Sequence, residues 1–141
     1  MTPPFGRNVL LDAGPIVGLL DRSDQWHRRS VQLWPGCIDR YITSEPVVTE
    51  ASHIVGRRGG PAALPVELLL TAQIPVVPFD DRARRKAALL MRQYENLPMD
   101  YADATLVVLA EALDIEGVFT FDERGFRTYR TPSGRAFTVL P

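Results

Sequence analysis

Four of the seventeen acidic residues stand where a carboxylate is out of keeping with its neighbours. Asp12 follows the apolar run Val9-Leu10-Leu11, and Asp122 follows Val118-Phe119-Thr120-Phe121. Each is therefore placed at the C-terminal end of an expected strand. Glu50 shares an i, i+3, i+4, i+7 stripe with Val47, Ala51 and Ile54, and Asp103 shares one with Leu106, Val107 and Ala110. An ionised side chain on a core-facing stripe is costly unless something compensates it. Two acids on inward stripes and two at strand ends point to one shared site.

Carboxylates packed together raise one another's pKa unless a positive charge sits among them. The chain offers no histidine cluster, and its one lysine, Lys86, is distant in sequence. A hard divalent cation such as magnesium or manganese takes oxygen ligands of this kind. Such an ion can activate water and stabilise the charge of a phosphodiester transition state. Taken singly, each acid also has an ordinary reading. Asp12 can cap the helix that follows, Asp122 can be a turn residue before Gly125, Glu50 can hold its head in water, and Asp103 can complete a capping box with Asp100. All four ordinary readings would have to hold at once.

The elements that must carry these residues alternate along the chain. Strands are expected at Val9–Leu11, Tyr41–Thr43, Ile74–Val77, Gly117–Phe121 and Ala136–Leu140. Helices are expected from Pro15 to Leu20, from an Asp24 cap to Trp34 with Pro35-Gly36 as its stop, and from Ser44-Pro46 to Val55. Three more are expected over 62–73, after Asp80 to Tyr94, and after Asp100 over Tyr101–Leu113. Strands alternating with helices give a parallel sheet covered on both faces. Right-handed crossovers put the C-terminal ends of its strands on one edge, where ligands bind in such folds.

Length and composition narrow the class. A chain of 141 residues favours one domain over its whole length. With 45% hydrophobic and 23% charged residues it reads as globular. Its single cysteine, Cys37, excludes an internal disulfide and a cysteine-built zinc site. Met1 to Leu11 has no long apolar stretch and no segment reaches membrane-spanning length, so a cytoplasmic protein is expected. The net charge of −1 excludes a polycation, and any nucleic-acid contact must rest on local basic patches.

Four segments together resemble a known family. Leu10-Leu11-Asp12-Ala13-Gly14-Pro15, Ser44-Glu45-Pro46-Val47-Val48-Thr49-Glu50, Met99-Asp100-Tyr101-Ala102-Asp103-Ala104, and Thr120-Phe121-Asp122 followed by Phe126 are similar to the motifs of PIN-domain ribonucleases. The nearest likeness is to the VapC-type toxins of toxin–antitoxin pairs. The segments occur in the family's order across nearly the whole chain. The resemblance implies a three-layer α/β/α fold around a mostly parallel sheet of four to five strands. It implies that Asp12, Glu50, Asp103 and Asp122 hold Mg2+ or Mn2+, with Thr120 as the family's hydroxyl beside the last acid. It further implies RNA as substrate, a homodimer, and a small antitoxin protein as partner. Asp100 is an additional acid next to the motif, assigned here to capping with a possible outer-shell role.

Other features have plainer readings. His27 and His53 are too few and scattered for a zinc site, and Ser44 lacks the glycine pattern of a nucleophile elbow. Arg57-Arg58 and Arg82-Arg84-Arg85-Lys86 read first as solvated surface and second as phosphate contacts. Trp26 and Trp34, eight apart on one expected helix, read as core or dimer interface before base stacking. Two rival functions remain. An aspartyl-phosphate phosphatase wants a second acid two residues after the first, where this chain has Gly14. A non-catalytic RNA-binding or partner-binding module would not require the intact acid set.

Overall fold

A computed structural model describes residues 8–140. The N-terminal segment from Met1 to Arg7, on which part of the no-export expectation rests, lies outside the described residues.

The sheet has five parallel strands in the order β3-β2-β1-β4-β5. At its centre β1 (Val9–Leu11) is wholly buried, which is why its three residues form an unbroken apolar run. It pairs with β2 (Tyr41–Ser44) through Val9↔Tyr41 and Leu10↔Ile42, and with β4 (Gly117–Phe119) through Val9↔Gly117 to Leu11↔Phe119. Beyond them lie β3 (Val76–Val77) against β2 and β5 (Thr138–Val139) against β4. Seven helices among the described residues complete a three-layer arrangement: α1 (Ala13–Leu20), α2 (His27–Leu33), α3 (Glu45–Arg57), α4 (Leu64–Thr71), α5 (Asp81–Gln93), α6 (Tyr101–Leu113) and α7 (Glu123–Thr128). None of them is long and apolar enough to cross a membrane. Most of α6 is enclosed, with every residue from Ala104 to Ala110 buried.

The expected elements are present, and their ends differ for identifiable reasons. Helix α1 begins at Ala13 because Asp12 caps it, leaving Pro15 in the first turn, where no amide donor is needed. Helix α2 begins at His27, since Asp24 Oδ1 accepts the Trp26 amide at 2.8 Å and holds those residues in a turn. Helix α2 ends at Leu33 with Trp34 as its C-cap, as the Pro35-Gly36 stop requires. The chain then tightens into a 3-10 turn over Trp34–Cys37. The two tryptophans therefore do not share a face of one helix: Trp34 is buried on Tyr41, and Trp26 is partly exposed in the turn ahead of α2. Helix α7 was not expected. It is short, with Gly125 inside it, and too few apolar residues to show a period.

Candidate functional site

Strand β1 delivers Asp12 to the edge where β1 and β4 end. The carboxylate is buried at 7% exposure and both its oxygens are engaged. Oδ1 accepts the Ala13 amide at 2.8 Å, and Oδ2 accepts the Thr120 hydroxyl at 2.7 Å. Thr120, itself buried, also accepts the Asp122 amide at 3.0 Å. The Thr120 hydroxyl, 108 residues along the chain from Asp12, thus couples the first and last acids. Its proton is committed to Asp12, so Thr120 positions the acids and is poorly placed to contact a substrate directly.

Asp122 caps α7, its Oδ1 accepting the Gly125 amide at 3.2 Å, and the residue is otherwise exposed. Gly125 is required by space. A Cβ there would stand 2.5 Å from Asp122 Oδ2 and 2.9 Å from the Tyr129 hydroxyl. Tyr129 is buried, and its hydroxyl leans on the Asp103 carboxylate. Burial first, then the acids Asp103, Asp122 and Asp100, push the phenol above its ordinary pKa. Tyr129 is the site residue that sequence reasoning missed. No local pattern distinguishes it from an ordinary core aromatic.

Asp103 enters from the first turn of α6. Asp100 Oδ1 accepts the Asp103 amide at 2.7 Å, and Asp103 Oδ2 accepts the Asp100 amide at 3.3 Å, a reciprocal capping box. The ordinary reading of Asp103 is thereby realised, and it coexists with membership of the acid group. Burial and the charges of Asp12 and Asp100 push the Asp103 carboxyl up to about 8. Glu50 is half-buried on α3, beside the fully buried Val47 and Ala51. Among the described residues nothing donates a hydrogen bond to its carboxylate. Burial, then Asp12, Asp100 and Asp122, raise it to about 7. Asp12 rises to about 6 by burial, against the pull of its two hydrogen bonds.

Helices α3 and α6 are fixed to each other behind these acids. Ser44, the residue before α3, makes no side-chain cap because its hydroxyl bonds to that of Thr105 on α6 at 2.7 Å. Thr43 ties the same strand to β1 through Leu11 O at 2.7 Å. In front, a concavity of about 560 Å³ is lined by Pro46, Thr49, Glu50, His53, Asp100 and Tyr101, among others.

The four expected acids and Asp100 thus lie in one electrostatic field at the C-terminal edge of the sheet. Among the described residues, no three His, Cys, Asp or Glu side chains are drawn together tightly enough to hold an ion as they stand. The acids share a field without closing into a ligand shell. Other candidates fall away from the site. His27 Nδ1 bonds to Gly18 O at 2.7 Å in the α1–α2 packing. Arg58 is bound to Asp21 at 2.9 Å and to Asp24 at 2.8 Å. Arg84 pairs with Asp81 at 3.0 Å on the exposed face of α5.

Comparison with known proteins gives three consistent likenesses. Residues 9–131 match the family described as PIN domain. Ribonuclease VapC26 of Mycobacterium tuberculosis is 25% identical over 138 residues, covering 94% of this chain and all of the relative. The crystal structure of VapC20 of Mycobacterium tuberculosis, a toxin that cleaves the sarcin-ricin loop, superposes with a TM-score of 0.76. It does so at 19% identity, over 82% of this chain and 91% of that one, a likeness of fold.

Proposed function

The chain belongs to the PIN-domain family, and from that premise we propose that it is an endoribonuclease that hydrolyses RNA phosphodiester bonds as the toxin of a toxin–antitoxin pair. The observation that carries this reading is the gathering of Asp12, Glu50, Asp103 and Asp122, with no base among them, at the ligand-binding edge of a parallel sheet. The names of the relatives, a ribonuclease and an RNA-cleaving toxin, point the same way.

The donor chemistry fits a hard divalent cation. It consists of carboxylate oxygens alone, and three of the acids have raised proton affinity, first because they are buried and second because neighbouring acids repel their charge. Asp12, Glu50, Asp103 and Asp122 are the residues that would hold Mg2+ or Mn2+. Such an ion supplies positive charge among the acids, activation of water, and stabilisation of the phosphodiester transition state. The chain's own groups do the positioning. Thr120 and the Ala13 amide fix both oxygens of Asp12. The Gly125 amide holds Asp122, and the Asp100 amide and Tyr129 hold Asp103. Glu50 is left with the freest carboxylate, the one able to swing toward an ion or a water.

Homodimerisation, a small antitoxin protein as partner, and action in the cytoplasm complete the proposal. Incubating the purified protein with total cellular RNA and mapping the cut ends tests it. Cleavage is expected with magnesium or manganese and is expected to vanish with a chelator. Absence of cleavage by folded, metal-supplied protein sinks the ribonuclease reading, and undiminished cleavage in excess EDTA sinks the metal. Light scattering and co-purification with the product of a neighbouring short reading frame test the partners.

A further inference from the structure

Trp26 occupies the turn between α1 and α2, and its indole stacks on Phe121 with ring centroids 4.7 Å apart and planes 10° from parallel. It is nevertheless 39% exposed. A ring covered on one face and still exposed to that degree presents its other face to solvent. Phe121 lies between Thr120 and Asp122, so the stack stands on the strand end that carries the acid site. Its ring also packs on Gly14, where a Cβ would meet Phe121 Cδ2 at 3.4 Å, two residues beyond Asp12.

The turn is held rigidly. Asp24 accepts the Trp26 amide, His27 is bonded to Gly18 O, and Arg58 clamps both Asp21 and Asp24. Gly18 allows the close approach, since a Cβ there would stand 2.3 Å from Ser30 Oγ. Arg22, Arg28 and Arg29 are exposed on either side of Trp26, and Arg124 is exposed three residues after Phe121. None of these four takes part in the ion pairs made by Arg58, Arg84, Arg127 and Arg135.

We propose that the outer face of Trp26 is a stacking subsite for an unpaired nucleobase of the RNA, adjacent to the phosphodiester being cut. This rests on the ribonuclease reading and names how that site takes its substrate. A preorganised aromatic ring flanked by guanidinium groups is what a single strand requires: a π-face for the base and cations for its phosphates. The fixed turn means that little ordering is left to oppose binding. Stacking tolerates any base, so the subsite selects unpaired over paired RNA.

Indole quenching reports on wild type, where buried Trp34 sets the unquenched background, and anisotropy of end-labelled RNA oligomers reports binding by wild type and by both variants. Wild type, Trp26→Ala and Trp26→Tyr are titrated in EDTA with oligoadenylate, with an abasic oligomer of equal length and charge, and with a fully paired RNA duplex. Wild type is expected to bind oligoadenylate on the order of ten-fold more tightly than the abasic oligomer, with quenching. Trp26→Ala is expected to lose that preference and Trp26→Tyr to keep most of it. On the RNA that cleavage mapping yields, Trp26→Ala is expected to raise KM by a similar factor and to leave kcat nearly unchanged. Equal binding of abasic and base-bearing oligomers by wild type overturns the subsite. So does a Trp26→Ala variant that retains the preference, or one that changes only the oligomeric state. Wild type that cleaves RNA yet binds abasic and base-bearing oligomers equally sinks the subsite alone. Wild type that neither cleaves nor binds sinks the ribonuclease reading with it.

Discussion

Two groups of carboxylates in this molecule are built on opposite principles. Asp21 and Asp24 flank the α1–α2 turn and share Arg58. The hydrogen bonds of Ser23 and of Arg58 hold Asp21 below the ordinary carboxylate range. Asp12, Glu50 and Asp103 are burdened by burial and by each other, and all three stand above it. The first group is electrostatically complete, and its work is to fix a turn. The second is incomplete, with no cation among the groups that shift it. Perturbed carboxyls near a cleft mark function when their perturbation is unrelieved. Here the relieved pair lies only a few residues along the chain from the unrelieved Asp12.

The contrast can be broken most severely at Asp12. Asp12→Asn keeps the shape and removes a charge, so RNA cleavage should fall to background while the melting temperature stays level or rises. A folded Asn variant that remains as active as wild type would remove Asp12 from the site. Thr120→Val should be next in size. Asp12 Oδ2 loses its donor, and activity or metal affinity should drop by about 10–100-fold, as for other groups that orient a ligand. Manganese titration alongside cleavage assays separates the two effects.

Acidity sharpens the contrast without mutation. An acid whose native pKa is raised stabilises the fold while protonated and loses that contribution as pH rises through the native value. Asp12, Glu50 and Asp103, at about 6, 7 and 8, should therefore make the metal-free protein melt at lower temperature as pH climbs from about 4 to about 8. Asp21, with a lowered pKa, works the other way and loses its contribution only as pH falls below the ordinary carboxylate range. Divalent cation should bind more tightly with rising pH over the same upper window, because protons must leave first. Metal-free melting that rises steadily to pH 8 would contradict the unbalanced cluster. The smallest effect is expected at the completed pair. Arg58→Met should lower the melting temperature by a few degrees at most, since exposed ion pairs contribute little, and should leave metal affinity unchanged.

Much of this was legible because local rules agreed. Asp80 and Asp100 announce helices that begin where they predict, and the polar interruptions at Glu50 and Asp103 break otherwise apolar stripes. What escaped reading depends on distant partners. Ser44 looks like a cap, yet its hydroxyl is taken by Thr105, 61 residues away. Tyr129 meets Asp103 only once α6 and the segment after α7 come together. Trp26 and Trp34 are eight apart on paper, but the turn ahead of His27 separates a surface ring from a core one. Strand β3 is two residues long because the Ile74 amide is taken by Leu69 O at 2.9 Å and Pro75 has no amide to give.

The bond from Thr120 to Asp12 has a consequence for the order in which the molecule comes into being. The central strand pairs with β4, and the hydroxyl that orients the first acid, 108 residues further along the chain, arrives with it. A nascent chain that has displayed Asp12 and Glu50 still lacks Asp103, Asp122, Thr120 and half the hydrogen bonds of β1. Contacts of such long sequence separation form late, after the entropy of closing the intervening loop has been met. An unfinished or truncated copy therefore has no assembled acid edge. The fold itself keeps the acid edge unassembled until β4 and the residues that follow it have been made.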